Sequence, residues 1–145
     1  MNDLLFVYGT LMQPFNSEMT KLLKTHSTLV SIGYVTGRLY DLGSYPGLVY
    51  DPNEKNRVKG EIRRLHSPDQ LFPFLDNYEM IDPSVPENNE YIRTIIPVQG
   101  RQQHECWTYV YQFPIATFPL IASGDYLSYF PQNPNHQHFI DNSSQ

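Results

Sequence analysis

A chain of 145 residues, 40% hydrophobic and 17% charged, has the length and balance of one globular domain with its own core. Its formal net charge of -5 and pI near 5.4 exclude the basic face that nucleic acid or an anionic membrane demands, since neighbouring Arg63 and Arg64 must point to opposite faces of a strand-like run. The single cysteine, Cys106, excludes an internal disulfide framework; no stretch approaches the roughly 18 apolar residues of a membrane span, and the N-terminus, with Asp3 before a short apolar run, lacks a basic leader, so the expected compartment is cytoplasmic.

Leu4 to Val7 read as a buried strand that runs through Tyr8 into Gly9. That glycine either lets backbone N–H groups approach a bound anion or carbonyl, or simply opens a loop. Pro14 and Asn16-Ser17 carry the start signals of a helix reaching about residue 26, with Met19, Leu22 and Leu23 on its buried stripe. Residues 30–50 read as extended, with Val30, Ile32 and Tyr34 alternating. Gly33, Gly37 and Gly43 mark bulges or bends of the kind that curl a small sheet toward a barrel. Residues 43–47 read as a loop, and a polar turn at 51–56 leads into a strand at 58–65, which together predict a hairpin.

Ser67, Pro68 and Gln70 predict the start of a second helix, which Pro73 should kink or split. Leu71, Leu75 and Glu79 then follow one another at spacings of four, so an unbroken register places a carboxylate on the leucine face. Residues 82–89 form a proline-broken polar loop. Residues 91–98 and 105–113 predict a long hairpin turning at Gly100, in which Trp107, Tyr109, Tyr111 and Phe113 alternate as an aromatic core wall. Ser123-Gly124-Asp125 caps a short last helix, and the expected domain spans residues 1–131, followed by a polar tail at 132–145.

Among candidate chemical groups Glu79 has the sharpest pattern. The leucine stripe, the negative end of the helix dipole and Asp76 three residues earlier would each raise its pKa, which suits a group that takes a proton and returns it. The competing reading is a solvated glutamate at a frayed helix end. His136 and His138 sit in the polar tail without a third ligand nearby, so no metal site is expected. His26, His66 and His104 are scattered, and Cys106 beside Trp107 reads as a small buried hydrophobe. The chain has no Gly-x-Ser-x-Gly elbow and no phosphate-binding glycine loop.

Taken together, Tyr8-Gly9-Thr10-Leu11 and Leu75-Asp76-Asn77-Tyr78-Glu79 resemble the γ-glutamylcyclotransferase superfamily, in particular the branch with γ-glutamylamine cyclotransferase and the plant avirulence-induced-gene proteins. Further pieces match in family order: Gly37-Arg38-Leu39-Tyr40, Tyr45-Pro46-Gly47, Val58-Lys59-Gly60-Glu61, Tyr91 with Arg93, and Ser123-Gly124-Asp125-Tyr126. The resemblance implies an α+β fold with a curled, barrel-like mixed sheet of about six strands and a few short helices. It implies a cofactor-free reaction in which a γ-glutamyl amine or small γ-glutamyl peptide closes on itself, giving 5-oxoproline and a free amine. By the same resemblance Glu79 is the general acid and base, and the Tyr8 to Leu11 turn binds the γ-glutamyl part through backbone groups, at its carboxylate or at the oxyanion. Tyr45, Tyr91 and Tyr126 match positions near the pocket. Where the family commonly has glycine after the glutamate, this chain has Met80, which would narrow the pocket, tilt Glu79 or change the amines accepted. Met80 also favours the alternative of a non-catalytic protein that keeps the pocket to bind a small metabolite.

Overall fold

The computed structural model describes residues 2–12 and 17–130. Pro14 and Asn16 of the predicted helix start, and the predicted tail at 132–145 with His136 and His138, lie outside the described residues. Six strands are present: β1 (Leu4–Val7), β2 (Ser27–Asp41), β3 (Pro46–Tyr50), β4 (Arg57–Leu65), β5 (Tyr91–Gln99) and β6 (Gln103–Tyr111). They lie in the order β3-β2-β4-β1-β6-β5, and a bridge between Tyr34 and Gln99 joins β5 back to β2. Five strands thus close into a barrel, with β3 added alongside β2. The β1–β6 pair is parallel and the other pairs are antiparallel, so the sheet is mixed. Three short helices, α1 (Glu18–Thr25), α2 (Pro68–Tyr78) and α3 (Tyr126–Tyr129), complete the α+β fold.

The register fixes which side chains fill the barrel. Phe6, Val35, Val58, Ile62, Ile96, Val98, Cys106 and Thr108 are buried on the face that turns inward. Gly33 shares that face because nothing larger fits, since a Cβ there would lie 2.8 Å from the side chains of both Ile62 and Val98. The extended run is present as β2, and the structure adds which parity is buried: Gly33, Val35, Gly37 and Leu39, while Ile32, on the opposite parity, is 44% exposed. A closed barrel of five strands has a narrow interior, so the smaller residues of the alternation point inward. The irregularity in β2 falls between Leu29 and Ser31 and not at a glycine.

The predicted hairpin into β4 does not form. β2 is long enough to pair with β4 along Ser27 to Thr36 and then with β3 along Gly37 to Asp41, so β3 and β4 share one partner. The hairpin of β5 and β6 is present with its turn at residues 100–102. Its aromatic residues lie on the face opposite the barrel interior: α2 meets Trp107 and Tyr109, whereas Tyr111 packs against Tyr91, Phe113 and Phe118. Phe72 meets Trp107 edge to face with ring centroids 5.9 Å apart, and the Arg93 guanidinium lies over both rings at 3.9 and 4.6 Å.

This second core explains why α2 is one helix despite Pro73. Leu71, Phe72 and Leu75 are buried against the barrel, each contributing roughly 1.5–3 kcal/mol. Pro73 lies on the exposed side, where its ring and missing N–H are least harmful. Ser67 makes no side-chain cap; its carbonyl accepts from the N–H groups of Gln70 and Leu71 instead. In α1 the Ser17 hydroxyl caps the Thr20 N–H at 3.1 Å, and Leu23 is the most deeply buried residue of the predicted stripe. Arg63 is buried beside Glu61 at 3.4 Å, its Nε donating to Ser27, whereas Arg64 is exposed.

Candidate active site

The turn after β1 is clamped from several directions. The Met12 N–H donates to the Gly9 carbonyl at 3.1 Å and closes the turn. Thr20 of α1 donates its hydroxyl to the Thr10 carbonyl at 2.8 Å, and the Thr10 hydroxyl is 2.7 Å from the Tyr78 hydroxyl at the end of α2. The buried Tyr8 hydroxyl donates to the Tyr109 carbonyl and accepts from the Leu48 N–H at 3.3 Å. Gly9 is required by proximity, because a Cβ would lie 2.9 Å from Cγ of Pro46. The turn therefore has a fixed shape, and its residues lie along the lining of the space beside it.

The end of α2 supplies the opposing group. The Ile81 N–H donates to the Asp76 carbonyl at 2.9 Å and the Met80 N–H to the Asn77 carbonyl at 3.0 Å, which is the Schellman arrangement with Glu79 as the cap. That arrangement needs a left-handed residue next, and Met80 takes it with φ 60°. Glycine adopts this conformation freely and methionine does so at a penalty. The Met80 side chain is 80% exposed, so it borders the pocket mouth instead of filling it.

Asp76, one turn before, is anchored. Arg93 donates to it through two nitrogens, at 2.9 and 3.3 Å, and Tyr109 donates its hydroxyl at 2.6 Å. These bonds lock the last turn of α2 onto β5 and β6.

Between the turn and the helix end lies a pocket with about 630 Å³ of empty space counted out through its mouth. Tyr8, Gly9, Thr10 and Leu11 form one wall, and Glu79 lies in the same lining. Tyr45 and Tyr91 contribute a third side, their rings 6.3 Å apart, and the Tyr91 hydroxyl donates to the Pro46 carbonyl at 2.6 Å. Tyr126 is fully buried, stacked on Phe130 and near enough to Tyr78 of the lining for the two phenols to influence each other, but it is not itself part of the lining.

Enclosure by protein pushes the Glu79 carboxyl up to about 8, and the negative charges of Asp76 and then Glu90 push in the same direction. Among the described residues its carboxylate has no hydrogen-bond or ion-pair partner. Burial also raises the Tyr8 hydroxyl well above its ordinary value, with Glu79 adding to the effect, so Tyr8 stays a neutral hydroxyl. Sequence reasoning missed several lining residues, among them Tyr78, Tyr109 and the carboxylate-bearing Glu90. Glu90 is the hardest of them to read. It carries no helical spacing and sits in a loop-to-strand junction, and only its place just before Tyr91 marked it. Among the described residues no group of His, Cys, Asp and Glu is arranged to hold a metal, and no helix is long and apolar enough to cross a membrane.

A family model described as Gamma-glutamyl cyclotransferase, AIG2-like, matches residues 5–128. Among solved structures, protein ytfP from Escherichia coli is 30% identical, with 88% of this chain and 98% of that one covered and a TM-score of 0.58. An aig2-like protein from Mus musculus is 26% identical over 83% of this chain and 86% of that one, with a TM-score of 0.64. YkqA from Bacillus subtilis is 22% identical with a TM-score of 0.69; the match covers 92% of this chain, which spans only 43% of that protein. No curated protein matches.

Proposed function

The chain belongs to the AIG2-like γ-glutamyl cyclotransferase family and is a cyclotransferase enzyme, and from that premise we propose that it converts a γ-glutamyl amine or small γ-glutamyl peptide to 5-oxoproline and a free amine, with Glu79 moving the proton. The observation that carries this reading is Glu79 itself: a carboxyl raised to about 8, without a partner among the described residues, in the same pocket as the Tyr8 to Leu11 turn.

The chemistry needs little else. A γ-glutamyl substrate carries its nucleophile with it, so a pocket that holds the chain folded converts the attack into a ring closure between groups already in contact. The α-amino nitrogen forms a bond to the γ-carbonyl carbon, and the bond from that carbon to the departing nitrogen breaks. Glu79 accepts the proton that the ammonium must lose and delivers one to the leaving nitrogen, so the enzyme ends as it began. A carboxyl near 8 is closer in proton affinity to an ammonium than an ordinary glutamate is, which shortens the uphill transfer. The backbone of the turn supports either the substrate carboxylate or the oxyanion, and the neutral Tyr8 hydroxyl holds the turn in shape. Tyr45 and Tyr91 wall the pocket against water. No cofactor or metal enters any step, and we place the reaction in the cytoplasm.

Purified protein incubated with a panel of γ-glutamyl compounds should release 5-oxoproline, and Glu79→Gln should lower the rate by about a hundredfold or more. Equal release by both proteins across the panel would refute the assignment.

A further inference from the structure

We infer that the barrel end marked by Leu4 and the β5–β6 turn carries a second binding site, one for a phosphate group, brought either by inorganic phosphate or by a small phosphate monoester. The site does not depend on the cyclotransferase reading. It shares no lining residue with the pocket beside Glu79: His104 lines the one and Tyr109 the other, roughly 17 Å apart along β6.

Strand register builds it. Ile62 faces the barrel interior opposite Ser31 of β2, and Arg64, two residues on, keeps that parity opposite Leu4 of β1. His104 likewise keeps the inward parity of Cys106, opposite Val98. Three strands thus end their inward rows on polar side chains. The slip of register in β2 is what places the hydroxyl there: without it Val30 would stand opposite Ile62, and with it Ser31 does. The hairpin turn crosses the same end, for a Cβ on Gly100 would lie 2.7 Å from Ser31 Oγ and 3.0 Å from Ile62 Cδ1. Arg101 and Gln102 follow that glycine. Together with Val30, Ser31, Arg64 and His104 they line a cleft with about 760 Å³ of empty space counted out through its mouth.

The chemistry of the lining selects an anion. It holds two arginines and a histidine and no carboxylate, in a chain whose formal net charge is -5. Arg64 meets Asp3 through Nε at 3.5 Å, a long and half-exposed pair that competes little with a bound anion. Among the described residues Arg101 has no ion pair, and the enclosed Ser31 hydroxyl has no hydrogen-bond partner. An enclosed hydroxyl without an acceptor is unfavourable, and rotation about its Cα–Cβ bond would turn it to an oxygen in the cleft. A phosphate dianion balances both guanidinium groups, which a carboxylate does not. Its oxygens accept from the arginine forks, the His104 ring and Ser31 together.

Calorimetric titration of the full chain in a low-salt, phosphate-free buffer tests this with inorganic phosphate, phenyl phosphate and acetate. Wild type should bind one or both phosphates at least about tenfold more tightly than acetate. Tighter inorganic phosphate marks a site for the free ion, and tighter phenyl phosphate a site for a monoester. Arg101→Gln, in the exposed turn, should weaken the binding by about tenfold or more, and Arg64→Gln should act alike if the first variant does not fold. Ser31→Ala should weaken it severalfold yet leave the Tm of the unliganded protein at or above that of wild type, which loss of a structural hydroxyl would not do. Glu79→Gln, altered only in the other pocket, should bind as wild type does. Binding no tighter than acetate, an affinity that survives the arginine variants or rises in Glu79→Gln, or a Ser31→Ala protein that loses Tm and keeps its affinity, overturns the inference.

Discussion

Glu79 should make this protein less stable as the pH rises, and Glu79→Gln should remove that dependence. Its carboxyl moves from an ordinary 4.5 in the unfolded chain to about 8 in the folded one. Between those values the folded chain keeps a proton that the unfolded chain has released. The stabilisation is therefore fully present below about 4.5 and is lost as the pH rises through about 8, at roughly 1.4 kcal/mol per pH unit. Over the whole interval this reaches about 5 kcal/mol, an upper bound because the carboxyl borders an open pocket where water screens it. Urea denaturation of both proteins at about pH 5 and about pH 9 isolates the effect, since every other titrating group is common to the two. The stability of Glu79→Gln relative to wild type should rise by up to about 4 kcal/mol across that range. Parallel pH dependence would show that the carboxyl is not held in a desolvated place, and the argument for its proton-carrying role would go with it.

The same group sets a kinetic expectation: kcat should climb with pH through about 8, because only the carboxylate accepts the ammonium proton, and a profile flat between about pH 6 and about pH 9 contradicts this. Met80→Gly relieves a left-handed methionine and should stabilise the fold by a net of about 0.5–1 kcal/mol after the entropy of glycine is counted; scanning calorimetry giving a lower Tm would refute it. Gly9→Ala forces a Cβ toward Pro46 and should lower stability by about 1–3 kcal/mol while reducing kcat/KM, because the turn and the pocket wall are pushed apart. An alanine variant equal to wild type in both measurements would mean that Pro46 yields without effect.

What the sequence made legible were features whose cause is local. The Leu4 to Val7 run, the turn at Gly100 between two β-rich segments, and the spacing from Leu71 to Glu79 each follow from periodicity within a few residues. Asp76 was readable as a neighbour of Glu79 for the same reason. The parity of β2 was not, because it depends on how much room a closed barrel leaves, and that is decided by Ile62 and Val98 arriving from other strands. The pairing of β3 and β4 with one partner was hidden likewise, since a polar turn between two extended runs looks the same whether or not they pair. Glu90 and Tyr126 show the limit in opposite directions. An unpatterned residue entered the pocket lining, and a residue matched by motif was placed in the core, because proximity to a cavity is a property of the assembled chain.

The barrel interior also gives this molecule a clock. Cys106 is the one thiol in the chain, it has no exposed surface, and burial pushes its pKa up to about 12. A thiol reagent can reach it only when β6 separates from a neighbour, so the labelling rate measures how often the barrel opens, without any introduced probe. Because the pocket is lined in part by barrel strands, with Phe6 and Val7 of β1 and Tyr109 of β6, ligand bound there should slow the clock only if the wall and the barrel breathe together. Labelling with and without ligand would therefore report whether the site shares the barrel's motion or rests on a frame that opens independently.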